Sequence, residues 1–454
     1  MAFALPSDVT SYRFDRKLLV RPGYVERALV VLTTSVLLAG LPVDWFRTRV
    51  DVVDEGNLKL VVAWLLLMLL GVLRVIGSLD SVLRVIKLET TIFAFSGLAL
   101  ASLFWSADIG ETIRQATILI AIAFYGVYLI LRFQLVQIVR LLAVTFTINA
   151  ACSFLFVFAF PAYGLSPAGQ WIGVYYQKNA LGFAATLAMP LLIVAARMTP
   201  RVRLIFYAAA IGHGVLLFFS ESKTMYVAGF GSVVLLGVYR LFRGRRTLRG
   251  AVLLSLAGSS LFTVAFATAN IGILAKWLDK DVSLTGRIPL WEDLIPVVLE
   301  RVALGHGYRA AFGGYFSPVH EIWIKHTWQP PHAHNGLFHI WLELGLVGLV
   351  LFLIGFFRAV KRAIHAVNLV PGAIGLWPLA FLSTSLLVSI TESGITATEI
   401  GWLMYVVAVL AVSNWFKNKV ILVSPSQLEA LERMTPVDDS SPSPDIDLIG
   451  ANVG

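Results

Sequence analysis

The sequence predicts an all-α, polytopic membrane protein with about twelve transmembrane helices and one large structured loop on its outer face. Three observations predict this. The 454 residues are 58% hydrophobic and 14% charged, with a mean hydropathy of +0.80, whereas soluble globular chains carry about 25% charged residues. Apolar runs of about 18 residues recur, each long enough to cross the hydrocarbon core as a helix. Cations fall in every second connection between these runs, which is the positive-inside pattern.

The predicted spans are 28–45, 58–76, 89–105, 113–131, 138–160, 179–196, 203–219, 224–242, 250–269, 335–357, 373–391 and 398–415. They divide the chain into an N-terminal segment 1–27, nine helices over 28–269, a loop 270–334, three helices over 335–416 and a tail 417–454. The first segment carries Arg13, Arg16, Lys17, Arg21 and Arg27 and runs into a full span, so no cleavable signal is expected. The tail holds Ser-Pro pairs and Asp438, Asp439, Asp445 and Asp447 with few aromatics, a composition that stays disordered.

The net charge of +9 would suggest nucleic acid in a soluble protein. Here the cations sit in short loops: Arg74, Arg84 and Lys87; Arg132 and Arg140; Arg197, Arg201 and Arg203; Arg240 to Arg249; Arg358, Lys361 and Arg362; Lys417 and Lys419. That places these loops and both termini in the cytoplasm, and no nucleic-acid partner is expected. Cys152 is the single cysteine, which excludes an intramolecular disulfide and a thiolate metal site.

The remaining connections face outward, and 270–334 is the longest. Loops of that length inside compact proteins usually carry function. Trp277, Trp291, Tyr308, Phe312, Tyr315, Phe316, Trp323 and Trp328 mark it as structured. Ile288, Trp291, Leu294, Ile295 and Val298 fall at helical spacing over 288–301. Such a helix either lies in the interface or packs on the outer ends of the spans.

Helices that run inward start at the outer face, where free N–H groups and the dipole favour anions. Four of them open on polar groups: Arg114 after Gly110-Glu111-Thr112, Lys178-Asn179, Ser222-Lys223-Thr224, and His334-Asn335. Together they suggest a cationic pocket suited to phosphate or pyrophosphate, although each cation alone also fits snorkelling to headgroups. Arg287 beside Trp291 adds a fifth, able to grip a phosphate bidentately or to anchor at the interface with Glu292. Spacing does not show whether the cations converge.

Pro330 to Gly348 meets a span at the loop's end and carries His332, His334, Asn335, His339 and Glu343. Ionisable groups at a bilayer edge are functional by default, and histidine can take a proton from a hydroxyl near neutral pH. His332 and His334 also have the look of a metal pair, but no outward carboxylate or cysteine cluster completes a ligand set at familiar spacing. No metal or other cofactor is therefore expected. Glu343 either orients a histidine, binds a sugar hydroxyl or satisfies a neighbouring helix.

His334-Asn335, nine residues, Gly345, two residues, Gly348 resembles the histidine motif of the O-antigen ligases and related bacterial polysaccharide polymerases. Leu284-Thr285-Gly286-Arg287 with Trp291, then Gly305-His306-Gly307-Tyr308, resembles the loop before that motif. Trp105-Ser106, Pro161-Ala162-Tyr163-Gly164, Gln177 to Gly182 and Ser220 to Thr224 are more similar to the exopolysaccharide polymerase branch. Lys223 stands where the ligases usually have arginine, and it keeps the charge without the bidentate fork.

The resemblance implies a twelve-helix protein of the bacterial inner membrane with a large periplasmic loop. It implies a metal-independent, inverting glycosyl transfer from a glycan on undecaprenyl pyrophosphate. The acceptor is another lipid-linked repeat in a polymerase, or lipid A-core in a ligase, and a chain-length-regulating membrane protein is a further implied partner. His334 is then the general base, with His332, Asn335 and Glu343 around it. Arg287, Lys223, Lys178, Asn179 and Arg114 grip the pyrophosphate, with Trp291 beside them. A transporter or flippase of lipid-linked sugars is the competing class. Transporters place charges at mid-membrane between related halves, whereas here the polar groups gather at one face and the halves look unrelated.

Overall fold

A computed structural model describes residues 22–40, most of 65–252, 287–312, 317–325, 330 and 332–418. Most of the predicted spans 250–269 and 58–76 lies outside the described residues, as do residues 1–21, 270–286 and 419–454.

The described elements are helices throughout: α1 (Tyr24–Ala39), α2 (Leu79–Leu88), α3 (Thr90–Ala101), α4 (Ile109–Arg132), α5 (Leu135–Ala159), α6 (Lys178–Met198), α7 (Arg203–Phe219), α8 (Lys223–Leu241), α9 (Arg287–Glu300), α10 (His320–Lys325), α11 (Gly336–Leu369), α12 (Trp377–Thr391) and α13 (Glu399–Asn418). Among the described residues seven helices are long and apolar enough to cross a membrane, or eight with the bent pair α2–α3. The chain is a multi-pass membrane protein, and the expected count of twelve is not reached among these residues. α13, over Glu399–Trp415, is a shorter apolar helix.

Hydrophobic residues from α1–α8 and α11–α13 form one continuous core. Charged groups collect at one end of this bundle. Arg132 donates to Glu26 Oε1 (2.7 Å) between α4 and α1. Arg140 donates to the Met198 carbonyl (2.6 Å) at the end of α6. Arg243 after α8 donates to the Gly372 carbonyl (2.5 Å) before α12, and Arg362 of α11 pairs with the fully buried Glu89 between α2 and α3. These contacts gather cations of several short loops at one end of the helices.

The predicted helix over 288–301 is α9. It does not stand alone: Leu290, Leu294, Val297 and Val298 form a small core with Ala311, Val319, Ile322, Ala333 and Leu342. The segment is thus seated on the first turns of α11, which favours packing over a free interfacial position. Ile295, expected on the apolar face, is 47% exposed, because the buried stripe turns towards Leu290 and Val297.

The span predicted at 335–357 runs to Leu369, and it is broken. Gly345 has φ +65, a left-handed conformation that glycine adopts without strain. A break leaves backbone groups without helical partners, and here the turn after α9 supplies them. His306 N–H donates to the Leu342 carbonyl (3.0 Å) and Gly307 N–H to Glu343 (2.9 Å), while Leu346 and Val347 N–H donate to Val302 (2.8 Å) and Ala303 (3.2 Å). The fit is close: a Cβ on Gly345 would lie 2.1 Å from the Ala303 oxygen, and one on Gly305 would lie 2.5 Å from the Glu343 carbonyl. Hydropathy is continuous through this stretch, so the break leaves no trace in it.

Candidate functional site

The end of the bundle opposite the basic cluster holds the site. Asn335 caps α11, its Oδ1 accepting from Leu337 N–H (3.1 Å) and Phe338 N–H (3.0 Å). A capping side chain of this kind satisfies the free donors of a first turn. Its Nδ2 donates to the Ile390 carbonyl at 3.3 Å, tying α11 to the end of α12. Asn335 thus positions the strip before it.

That strip is held from the other side by tryptophans. Trp291 Nε1 donates to the Ala333 carbonyl (2.7 Å) and Trp323 Nε1 to Pro330 (3.1 Å); Trp341 Nε1 of α11 instead donates to Val302 (3.2 Å), in the turn after α9. Trp291, expected beside the pyrophosphate, therefore fixes the backbone between His332 and His334. Arg287 opens α9, and nothing further is described of its side chain.

His334 has φ +51. A left-handed conformation in a non-glycine residue is strained, and such strain concentrates at functional positions. His334 is 9% exposed, and its Nδ1 lies 3.0 Å from Glu392 Oε2. His332 Nδ1 accepts from the His334 backbone N–H at 3.2 Å. Its Nε2 stands 3.9 Å from the same carboxylate oxygen. The two rings are 4.2 Å apart. One turn into α11, His339 and Glu343 are each 2% exposed with Nε2 and Oε1 2.9 Å apart. No hydrogen bond is formed between these two atoms, so both keep unused bonding capacity.

Glu392 was not singled out from sequence. It lies 58 residues beyond His334, and its one signal was that of an acid in the six-residue outward connection 392–397. It also changes the metal argument. The ligand atoms of His332, His334 and Glu392 lie within 4.8 Å of one another, so a carboxylate does complete a set with the two histidines. Two imidazoles and one carboxylate suit a divalent ion. The 3.0 Å His334–Glu392 separation is equally that of a direct charge-assisted hydrogen bond.

The four helix starts share this end. Ser222 Oγ donates to Asn179 Oδ1 (2.8 Å), which joins α8 to α6. Phe183 in the second turn of α6 packs against Gly394, two residues after Glu392. Tyr308 Oη donates to the Thr396 carbonyl (3.1 Å), and the Tyr308 carbonyl accepts from Thr112 Oγ1 (2.9 Å) in the first turn of α4. Lys178 is half-buried and Lys223 exposed at their helix starts. Arg114 pairs with Glu111, which leaves it less charge for a ligand.

A further cation was overlooked. Arg309 follows the Gly305-to-Tyr308 motif in a left-handed conformation, φ +61, among Glu343, Glu399 and Glu111. Burial disfavours its charge, but Glu343, Tyr308, Glu399 and Glu111 together hold the guanidinium above its ordinary range. His306 is buried with Nε2 2.8 Å from the Val297 carbonyl, and burial lowers its pKa.

A multi-pass helical membrane protein with a buried histidine–carboxylate contact at one end is the class these features define. Residues 206–353 match the O-antigen ligase family. The chain is also 28% identical over 370 residues to the exopolysaccharide production protein ExoQ of Rhizobium meliloti (strain 1021), across 77% of this chain and 80% of that protein. The resemblance to O-antigen ligases and polysaccharide polymerases stands. The family match takes in His334 and Glu343 but ends before Glu392.

Proposed function

We propose that the chain is a glycosyltransferase of the bacterial inner membrane that polymerises glycan repeat units carried on undecaprenyl pyrophosphate, working at the outer face. The observation that carries the reading is the buried contact between His334 Nδ1 and Glu392 Oε2 at 3.0 Å. A carboxylate accepting from Nδ1–H fixes the tautomer whose lone pair is on Nε2, the arrangement of a general base held by an acid. An acceptor sugar hydroxyl gives its proton to Nε2 as its oxygen attacks the anomeric carbon of the lipid-linked glycan. The bond from that carbon to the pyrophosphate oxygen breaks, its electron pair leaves with the lipid pyrophosphate, and the configuration inverts.

Charge developing on the leaving group needs cations and helix starts in place beforehand. Lys223 and Lys178 have both, Arg287 stands at the start of α9, and Arg114 contributes least because Glu111 faces it. An apolar groove of about 770 Å³ between α6, α7 and α8, lined by Met189, Tyr207, Phe218, Phe219 and Phe230, suits the hydrocarbon of the carrier. Phe219 is four residues from Lys223, so tail and pyrophosphate fit one molecule.

Similarity to an exopolysaccharide production protein favours polymerisation over ligation to lipid A-core, which would use the same base and leaving group. The clustering of ionisable groups at one end disfavours transport. The test replaces His334 with Ala in a deletion strain, confirms membrane insertion, and reads the surface glycan on a sizing gel. Accumulation of single repeats is expected. Long chains held on the carrier with bare lipid A-core would instead identify a ligase, and an unchanged profile would remove His334 from the mechanism.

A further inference from the structure

In the sequence, residues 77–88 read only as a basic connection between spans. In the structure they contain α2, which meets α3 at 93°. α3 runs along the bundle: Glu89 at its start sits in the basic end with Arg362 and Ser413, and Ser102 just after it accepts from Tyr308 N–H at the site end (3.0 Å). A helix at a right angle to α3 therefore lies in the plane of the membrane, at the basic end.

The faces of α2 suit that position. Successive residues step about 100° around a helix, and here they sort into three sectors. Ser81, Val82 and Val85 are buried on the bundle. Asp80, Arg84 and Lys87 form an exposed polar strip. Leu79 and Leu83, 62% and 41% exposed, project between them beside the half-buried Ile86. A helix in water has no use for this third sector. A helix at the boundary of a bilayer does, with one side on the protein, one towards acyl chains and one towards headgroups.

We propose that α2 is an in-plane interfacial helix that docks the basic end of the protein on anionic phospholipid. Leu79, Leu83 and Ile86 enter the acyl boundary, and Arg84 and Lys87 meet headgroup phosphates. Arg84 also donates to Ser81 Oγ (2.8 Å), which holds its stem along the helix. Cations so placed favour anionic lipid over zwitterionic lipid. Asp80 at the first turn is the one exposed acid of α2 and leaves the strip net positive. The inference does not rest on the glycosyl-transfer reading.

The test uses the full chain in nanodiscs of phosphatidylcholine, with and without about one third phosphatidylglycerol. Cys152→Ser removes the native thiol, and Leu83→Cys or Arg84→Cys then carries an environment-sensitive fluorophore. Shallow brominated lipid is expected to quench the label at 83 severalfold more than that at 84, and aqueous iodide the reverse. Equal quenching at both positions by either agent would overturn the in-plane placement. Arg84→Glu with Lys87→Glu, both on exposed positions, is expected to abolish enrichment of phosphatidylglycerol around the protein. Enrichment unchanged from wild type would overturn the lipid assignment, even with the depth result intact.

Discussion

Gly345→Ala attacks the clamp that shapes the site from behind. At φ +65 any L side chain is strained by about 1–2 kcal/mol. The new Cβ would stand 2.1 Å from the Ala303 oxygen, so the turn 302–307 must withdraw. That loosens the bonds from Leu346 N–H to Val302 and from Val347 N–H to Ala303, each contributing about 0.5–1.5 kcal/mol. The sum is a destabilisation of about 2–5 kcal/mol. Because the same turn leads into Arg309 and abuts Glu343, activity is expected to fall about a hundredfold, as when reacting groups shift by about 1 Å. Thermal unfolding of the purified protein in detergent and turnover on lipid-linked substrate measure the two effects. Gly237→Ala is the control, since a Cβ there meets nothing within 4 Å and alanine favours a helix interior by about 0.5–1 kcal/mol. If Gly345→Ala behaves as Gly237→Ala does, the clamp does not hold the break.

Trp291→Phe leaves the Ala333 carbonyl without its indole donor, a loss of about 1–3 kcal/mol for a buried acceptor; turnover is expected to drop about tenfold while the protein still inserts, and wild-type turnover would refute the positioning role. For His306, burial holds the folded pKa below the unfolded value, which is about 6.5. The unfolded chain therefore binds more protons in the window beneath that value, so stability is complete above pH 6.5 or so and falls as the pH drops. Melting at pH 7.5 and 5.5 is expected to show a smaller acid loss for His306→Gln than for wild type, and equal losses would contradict this. Chelation by EDTA is expected to leave turnover unchanged; a loss restored by zinc would show that His332, His334 and Glu392 hold an ion.

How much was legible in the sequence differs from element to element. Helix α9 was readable because Leu294 and Val298 repeat at helical spacing, and the site end was readable because four helices open on polar residues. The break in α11 was not, since Leu344, Leu346 and Val347 continue the apolar run and nothing in them shows a second segment docking there. Gly305, Gly307 and Gly345 were visible as motif positions; that they meet one another is a fact of packing. Asn335 and Trp291 were read as chemistry and are found holding backbone, because hydrogen bonds to main-chain groups leave no pattern in composition. Glu392 was the largest omission. It reaches His334 only because α11 and α12 run antiparallel, which brings the end of one beside the start of the other.

The account stands or falls on His334 and Glu392 acting as one unit, and a double-mutant cycle in reconstituted membranes measures that directly. Turnover of lipid-linked repeats is compared for wild type, His334→Ala, Glu392→Gln and the double variant. Loss of a positioned base typically removes about 10²–10⁴ in rate, and residues of one unit are strongly non-additive. Each single variant is expected to fall in that range, with the double no slower than His334→Ala. A Glu392→Gln enzyme that turns over at the wild-type rate, or losses that multiply in the double variant, would contradict the account.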